Sequence, residues 1–146
     1  MLGAACVVTP ARSVTAEIIV QTWGDALGEV DPRIVESHRR HGSPLDLARA
    51  PAQRVLSTAN VELAVGTPYE HELPDGATLI VTLEGTDERG YRRARLHVTA
   101  PGRPDPFGPT SWRFPEDGWF AFEVESSGAE RVFVIVDLED APPGPR

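Results

Sequence analysis

The chain contains no lysine; its basic side chains are all arginines, 14 against 22 acidic residues. That absence removes Schiff-base chemistry, the lysine of a P-loop and every lysine general base. Arginine stays charged at any ordinary pH, so it pairs or clamps but does not shuttle protons. There is one cysteine, Cys6, which rules out an intramolecular disulfide. No run approaches the ~20 apolar residues with which a helix spans a bilayer. There is also no Gly-x-Ser-x-Gly, no His-Glu-x-x-His, no Gly-rich phosphate loop and no cysteine beside a histidine. Carboxylates are plentiful but scattered, and nothing singles out a glycosidase pair. The residues point to no cofactor and no catalytic centre.

The formal net charge is −8. A chain this acidic is repelled by a phosphate backbone unless its cations cluster, so neither nucleic acid nor an anionic lipid surface is expected as a general partner. The length, 146 residues, predicts one domain. Such a chain buries roughly two-thirds of its unfolded surface, enough for a core without a metal or disulfides.

Residues 2–8 are apolar apart from glycine, and a polar stretch follows. Val14-Thr15-Ala16 places small or apolar residues where a signal peptidase cuts, after Ala16, although no basic segment precedes the apolar run. Ala4-Ala5-Cys6 also resembles a lipobox, which would place lipid on Cys6 and give the chain a membrane contact by that route alone. The third reading is an N-terminal strand packed on the domain. Because the two-residue period begins at Glu17, residues 1–16 are read as the remnant of a leader or a disordered segment. Residues 17–140 are then the domain and 141–146 a frayed tail.

From Glu17 to Trp23 a strand is expected, with Ile18 and Val20 on one face and Glu17, Ile19, Gln21 and Trp23 on the other. Residues 24–30 read as a loop. Asp31 and Pro32 make a good helix start as N-cap and N1, with Gly42-Ser43-Pro44 as the stop and a second short turn near 44–50. From residue 53 the period returns to two, with Val61, Leu63 and Val65 on one face, and Tyr69, His71 and Leu73 alternate along an edge-like strand. Pro74-Asp75-Gly76 is a turn. Residues 77–84 and 91–99 form an antiparallel hairpin by alternation. The register expected pairs Val81 with Ala94 and Leu79 with Leu96, leaving Thr82, Ile80 and Thr78 opposite Arg93, Arg95 and His97. Residues 100–110, rich in Pro and Gly, read as a loop. A second hairpin is expected across the Pro115–Gly118 turn, and 131–138, apolar on both faces, as a strand in the middle of a sheet. The fold class predicted is mainly β: an antiparallel sandwich or small barrel of seven to eight strands, with a short helical insert near residues 31–50.

Several of these segments recur together: "VDPRI" (30–34), "RVLS" (54–57), "LPDGATLIVT" (73–82), "RRARLHV" (92–98) and "EDGWFAF" (116–122). In that order they resemble a group of small exported bacterial β-rich proteins of unassigned function. There a leader precedes a Val-Asp-Pro segment, a Leu-Pro-Asn/Asp-Gly turn and a closing Gly-aromatic strand. The resemblance covers most of residues 17–138. It implies export and a β fold, and no functional residue carries over.

Three constellations are candidates for binding. Arg93, Arg95 and His97 share one face beside Tyr91 and have the forked donors that suit a carboxylate or sulfate. Glu84, diagonal to Arg93, offers a plain surface ion pair instead. Trp112 and Trp119, with Phe107 before them, could stack on a sugar or anchor a partner, Trp119 being exposed by alternation with Phe120. His38 and His41 sit one helical turn apart, but Arg39 and Arg40 between them repel a cation, so no metal site is expected. Together these features predict a non-catalytic, exported binding or accessory protein with a protein partner in the bacterial cell envelope. The alternative is a carbohydrate-binding module using Trp112 and Trp119.

Overall fold

Alternating side chains set the architecture. In the computed structural model, which describes residues 14–40, 42, 44–114, 119–124 and 131–140, the strands form two four-stranded antiparallel sheets stacked as a sandwich, not a closed barrel. The elements are β1 (Val14–Leu27), α1 (Pro32–Arg40), β2 (Pro51–Leu63), β3 (Tyr69–Glu72), β4 (Thr78–Thr86), β5 (Arg92–Thr99), β6 (Phe107–Phe114), β7 (Trp119–Val124) and β8 (Arg131–Asp140). The first sheet runs β2-β1-β8-β7 and the second β3-β4-β5-β6. Every second residue of each strand points between the sheets. There Ile18, Val20, Leu79, Val81, Leu96, Val98, Phe114 and Val134 make a shared core.

β1 begins earlier and ends later than its alternation suggests. Val14 and Ala16 are 3% and 0% exposed; Val14 pairs with Leu63 on one side and Asp140 on the other, and Ala16 with Val61 and Leu138. A cut after Ala16 would therefore remove two core residues of a central strand. Residues 24–27, expected in a loop, extend β1 past a register irregularity. β8 is central between β1 and β7, as its two apolar faces require.

The second face of β1 is covered by α1. Asp31 caps the helix by accepting the Arg33 N–H at 2.9 Å, and Pro32 occupies N1. His38, Arg39 and Arg40 lie in its last turn, where the helix dipole favours positive charge. Ile34 drops into a small second core with Ile19, Val55 and Ile135.

The β4–β5 hairpin has the predicted faces but a register displaced by two residues. Val81 pairs with Leu96 and Leu79 with Val98, so Thr82 faces Arg95 and Ile80 faces His97. A slip of two keeps every side chain on its face, so alternation alone does not select between the two registers. The choice is made by an irregularity between Leu83 and Gly85, with Gly85 at φ 144°, and by Asp87, which accepts the N–H groups of Arg89 and Tyr91.

The second hairpin does not form. β6 pairs with β5 in one sheet and β7 with β8 in the other, so the chain crosses between sheets there. The expected loop at 100–110 also ends early, because Phe107–Thr110 already belong to β6. Cys6, Pro115–Gly118, His41 and the tail lie outside the described residues.

Candidate functional site

α1 lies on the first sheet, and among the described residues no helix covers the outer face of the second. On that face β5 presents Arg93, Arg95 and His97, as its period predicts. Register places Arg95 between Thr82 of β4 and Ser111 of β6, and Arg93 between Gly85 and Arg113. Two residues apart on a strand, Arg93 and Arg95 rise about 7 Å from one to the other. Both are exposed, and neither forms an ion pair among the described residues. The expected diagonal pair of Arg93 with Glu84 is not made.

Glu70, Glu72 and Glu84 also stand exposed on this face, while two of its other charges are engaged. Arg113 donates from Nε and Nη2 to Asp87 Oδ2 at 3.0 and 2.7 Å, and its guanidinium sits 4.7 Å from the Tyr91 ring centre. His97 Nε2 lies 2.8 Å from Asp105 Oδ2, which ties β5 to the loop before β6. The predicted trio thus reduces to Arg93 and Arg95, with the Thr82 and Ser111 hydroxyls on either side of Arg95. Forked, always-charged donors flanked by hydroxyls suit carboxylates.

The aromatic residues are not brought together as one platform. Trp112 stacks on Phe120 at 4.1 Å and Phe107 on Phe122 at 4.2 Å, so these rings close the sandwich edge between β6 and β7. Trp112 keeps 38% of its surface exposed. Trp119 points the other way, out of the first sheet, and is half-buried against the second core, with the His38 ring edge-on at 5.3 Å. The expectation of an exposed Trp119 fails because α1 covers that side. Among the described residues no three His, Cys, Asp or Glu side chains cluster as metal ligands.

One polar constellation escapes a reading of the sequence. Ser57 Oγ lies 2.9 Å from His71 Nε2, and His71 Nδ1 faces the Tyr69 hydroxyl at 3.4 Å. β2 and β3 are edges of opposite sheets, so this contact ties the sheets across the open side of the sandwich. Burial pushes the His71 pKa below its ordinary value, which favours a neutral ring, with one nitrogen donating and the other accepting between Ser57 and Tyr69. A serine–histidine pair is half of a nucleophile, but the group behind this ring is a phenol, not a carboxylate that would stabilise an imidazolium. The signal available in sequence was that both residues fall in the inward-facing rows of edge strands.

Comparison with known protein families, with curated proteins and with solved structures finds no match.

Proposed function

We propose that the protein is a non-catalytic binding domain, exported to the bacterial cell envelope, where it acts as an accessory by holding a protein partner. The observation that carries the reading is the pair Arg93 and Arg95, exposed and without ion pairs among the described residues, on the sheet face that no described helix covers. On a chain of net charge −8, two such cations at the centre of a sheet select acidic groups on a partner while the surrounding charge repels acidic surfaces elsewhere. The leader-like start motivates the export part. No described helix is long and apolar enough to cross a membrane.

The test is retention of envelope proteins from detergent extracts on the immobilised full chain, compared with R93A/R95A and with Trp112→Ala. The expected result is a partner held by the parent and by Trp112→Ala but lost from the double variant. Equal retention by R93A/R95A overturns the reading. N-terminal sequencing of the chain recovered from cells tests export separately: an intact Met1 on cytosolic protein removes that part.

A further inference from the structure

The sheet edges are protected unevenly. β3 has four residues and carries Glu70 and Glu72, β7 has six residues, and β6 holds Pro109 and a register irregularity. Short strands, charges, prolines and bulges are what natural proteins use to keep an edge from pairing. The start of β2 is covered by the chain itself: Gln53 donates its N–H to the Glu29 carbonyl at 2.9 Å, and its own carbonyl accepts the Asp31 N–H at 3.0 Å. From Ser57 to Leu63 the strand runs opposite Val20 to Val14 without a bulge or a proline, a length of about 20 Å. Among the described residues the main chain of this stretch bonds to β1 alone. In an antiparallel ladder, alternate residues point their N–H and C=O away from the neighbour, so roughly half of these residues offer a free donor and acceptor.

The stretch matches itself. A second copy brought edge to edge by a two-fold axis runs antiparallel to the first. Side chains keep their faces only in registers that pair odd positions with odd and even with even, and full overlap of 57–63 puts Asn60 on the axis. Thr58 then stands opposite the partner's Glu62, so the only charged residue of the stretch never meets its own copy. Asn60 meets its own carboxamide, which both donates and accepts. On the inner face Ala59 meets the partner's Val61. Both residues are half-buried where they pack on the core, and the join covers what they still expose.

The helices leave room for this. Ile34 seats α1 among Ile19 of β1, Val55 of β2 and Ile135 of β8, hence above β1. In the joined sheet both copies carry α1 on the same side, and their β1 strands lie three strand spacings apart. That separates the helices by about 14 Å, beyond the ~8–10 Å of packed helices. We propose that two copies of this chain join β2 to β2 through residues 57–63, so that their four-stranded first sheets become one continuous sheet. The surface is separate from Arg93 and Arg95, which lie on the outer face of the other sheet.

The test is sedimentation equilibrium of the full chain over a wide concentration range, with amide exchange as the readout of place. Expected are a dimer and, on dilution, loss of protection at alternate residues within 57–63 while β4 and β5 stay unchanged. Thr58→Glu sets carboxylates opposite each other at both ends of the join and should weaken the dimer by about tenfold or more. Adding Glu62→Lys should restore it, because opposite charges then face each other. Both positions are exposed, and urea unfolding of the variants at monomer concentration checks that the fold holds. Four results overturn the proposal: a monomer at every concentration, a dimer indifferent to Thr58→Glu, a weakened dimer that Glu62→Lys does not restore, or protection on dimerisation at β5 and not at 57–63.

Discussion

Replacing Ile34 with alanine tests how α1 is held on the first sheet. α1 has nine residues, below the ~12–15 at which an isolated helix becomes even marginally stable. Its position therefore depends on packing. Ile34 is fully buried and is the helix's only buried apolar side chain, set among Ile19, Val55 and Ile135. Cutting a buried isoleucine back to alanine costs about 2–5 kcal/mol, because transfer energy is lost and a cavity remains. The cost has two places to appear. If the helix undocks while the sandwich holds, the loss of global stability stops at the docking free energy. The rest shows as local opening. Hydrogen exchange separates the two. Amides of α1 should lose protection by about a hundredfold for each ~2.8 kcal/mol, while those of β4 and β5 change only as far as urea unfolding changes. Ile34→Val should cost about 0.5–1.5 kcal/mol by the same reasoning. A drop under about 1 kcal/mol by urea, with α1 protection unchanged in Ile34→Ala, would refute the claim that this side chain anchors the helix.

Other sites give sharper single outcomes. Gly108 has φ 69°, and a Cβ there would collide with the Leu96 carbonyl oxygen, so Gly108→Ala should lower stability by more than about 1 kcal/mol in urea unfolding. Trp112→Ala removes the stack on Phe120 and should cost about 0.5–1.5 kcal/mol beyond the lost burial; an unchanged melting temperature would return Trp112 to the role of a ligand platform. The folded-state pKa of His71 lies below the unfolded value of about 6.5. The unfolded chain therefore takes up the proton first, and stability should be full above about 6.5 and fall as pH drops towards the folded value. Urea midpoints of parent and His71→Gln measured from pH 7 downward should converge in slope if His71 contributes nothing. Asp31, Glu36 and Glu123, each held below the carboxylate range first by hydrogen bonds from Arg33, Arg39 and Arg131, should add a further loss at lower pH as they protonate.

The sequence made faces legible and partners much less so. Alternation placed Leu79, Val81, Leu83, Ala94, Leu96 and Val98 inward and Arg93 and Arg95 outward, and all of them lie so. It could not choose between registers two residues apart, because both satisfy the same burial. The decision rests on one glycine at φ 144° and one carboxylate bonding two N–H groups, which are local features of a turn. The same limit explains β6 and β7. Trp112 and Phe114 alternate as Phe120 and Phe122 do, and inward-facing rows look alike in either sheet of a sandwich. Trp119 shows the complementary limit: its face was read correctly as opposite to Phe120, but exposure depends on α1, about eighty residues away in sequence. The helix itself was legible because its cap, its proline and its basic last turn are adjacent in the chain.

The two open sides of the sandwich are closed by different chemistry, and this bears on where a partner can bind. Between β6 and β7 the closure is aromatic, with Phe107, Trp112, Phe120 and Phe122 stacked across the sheets. Between β2 and β3 it is mixed: Ala59, Val61 and Tyr69 pack on the core, and the Ser57–His71 hydrogen bond joins the two strands. Both sides are thus closed by side chains packed on the core, whereas Arg93 and Arg95 lie on the outer face of the second sheet, where the core does not need them. Substituting Arg93 and Arg95 should leave stability within about 0.5 kcal/mol of the parent, so a loss of binding there reports on contact and not on folding.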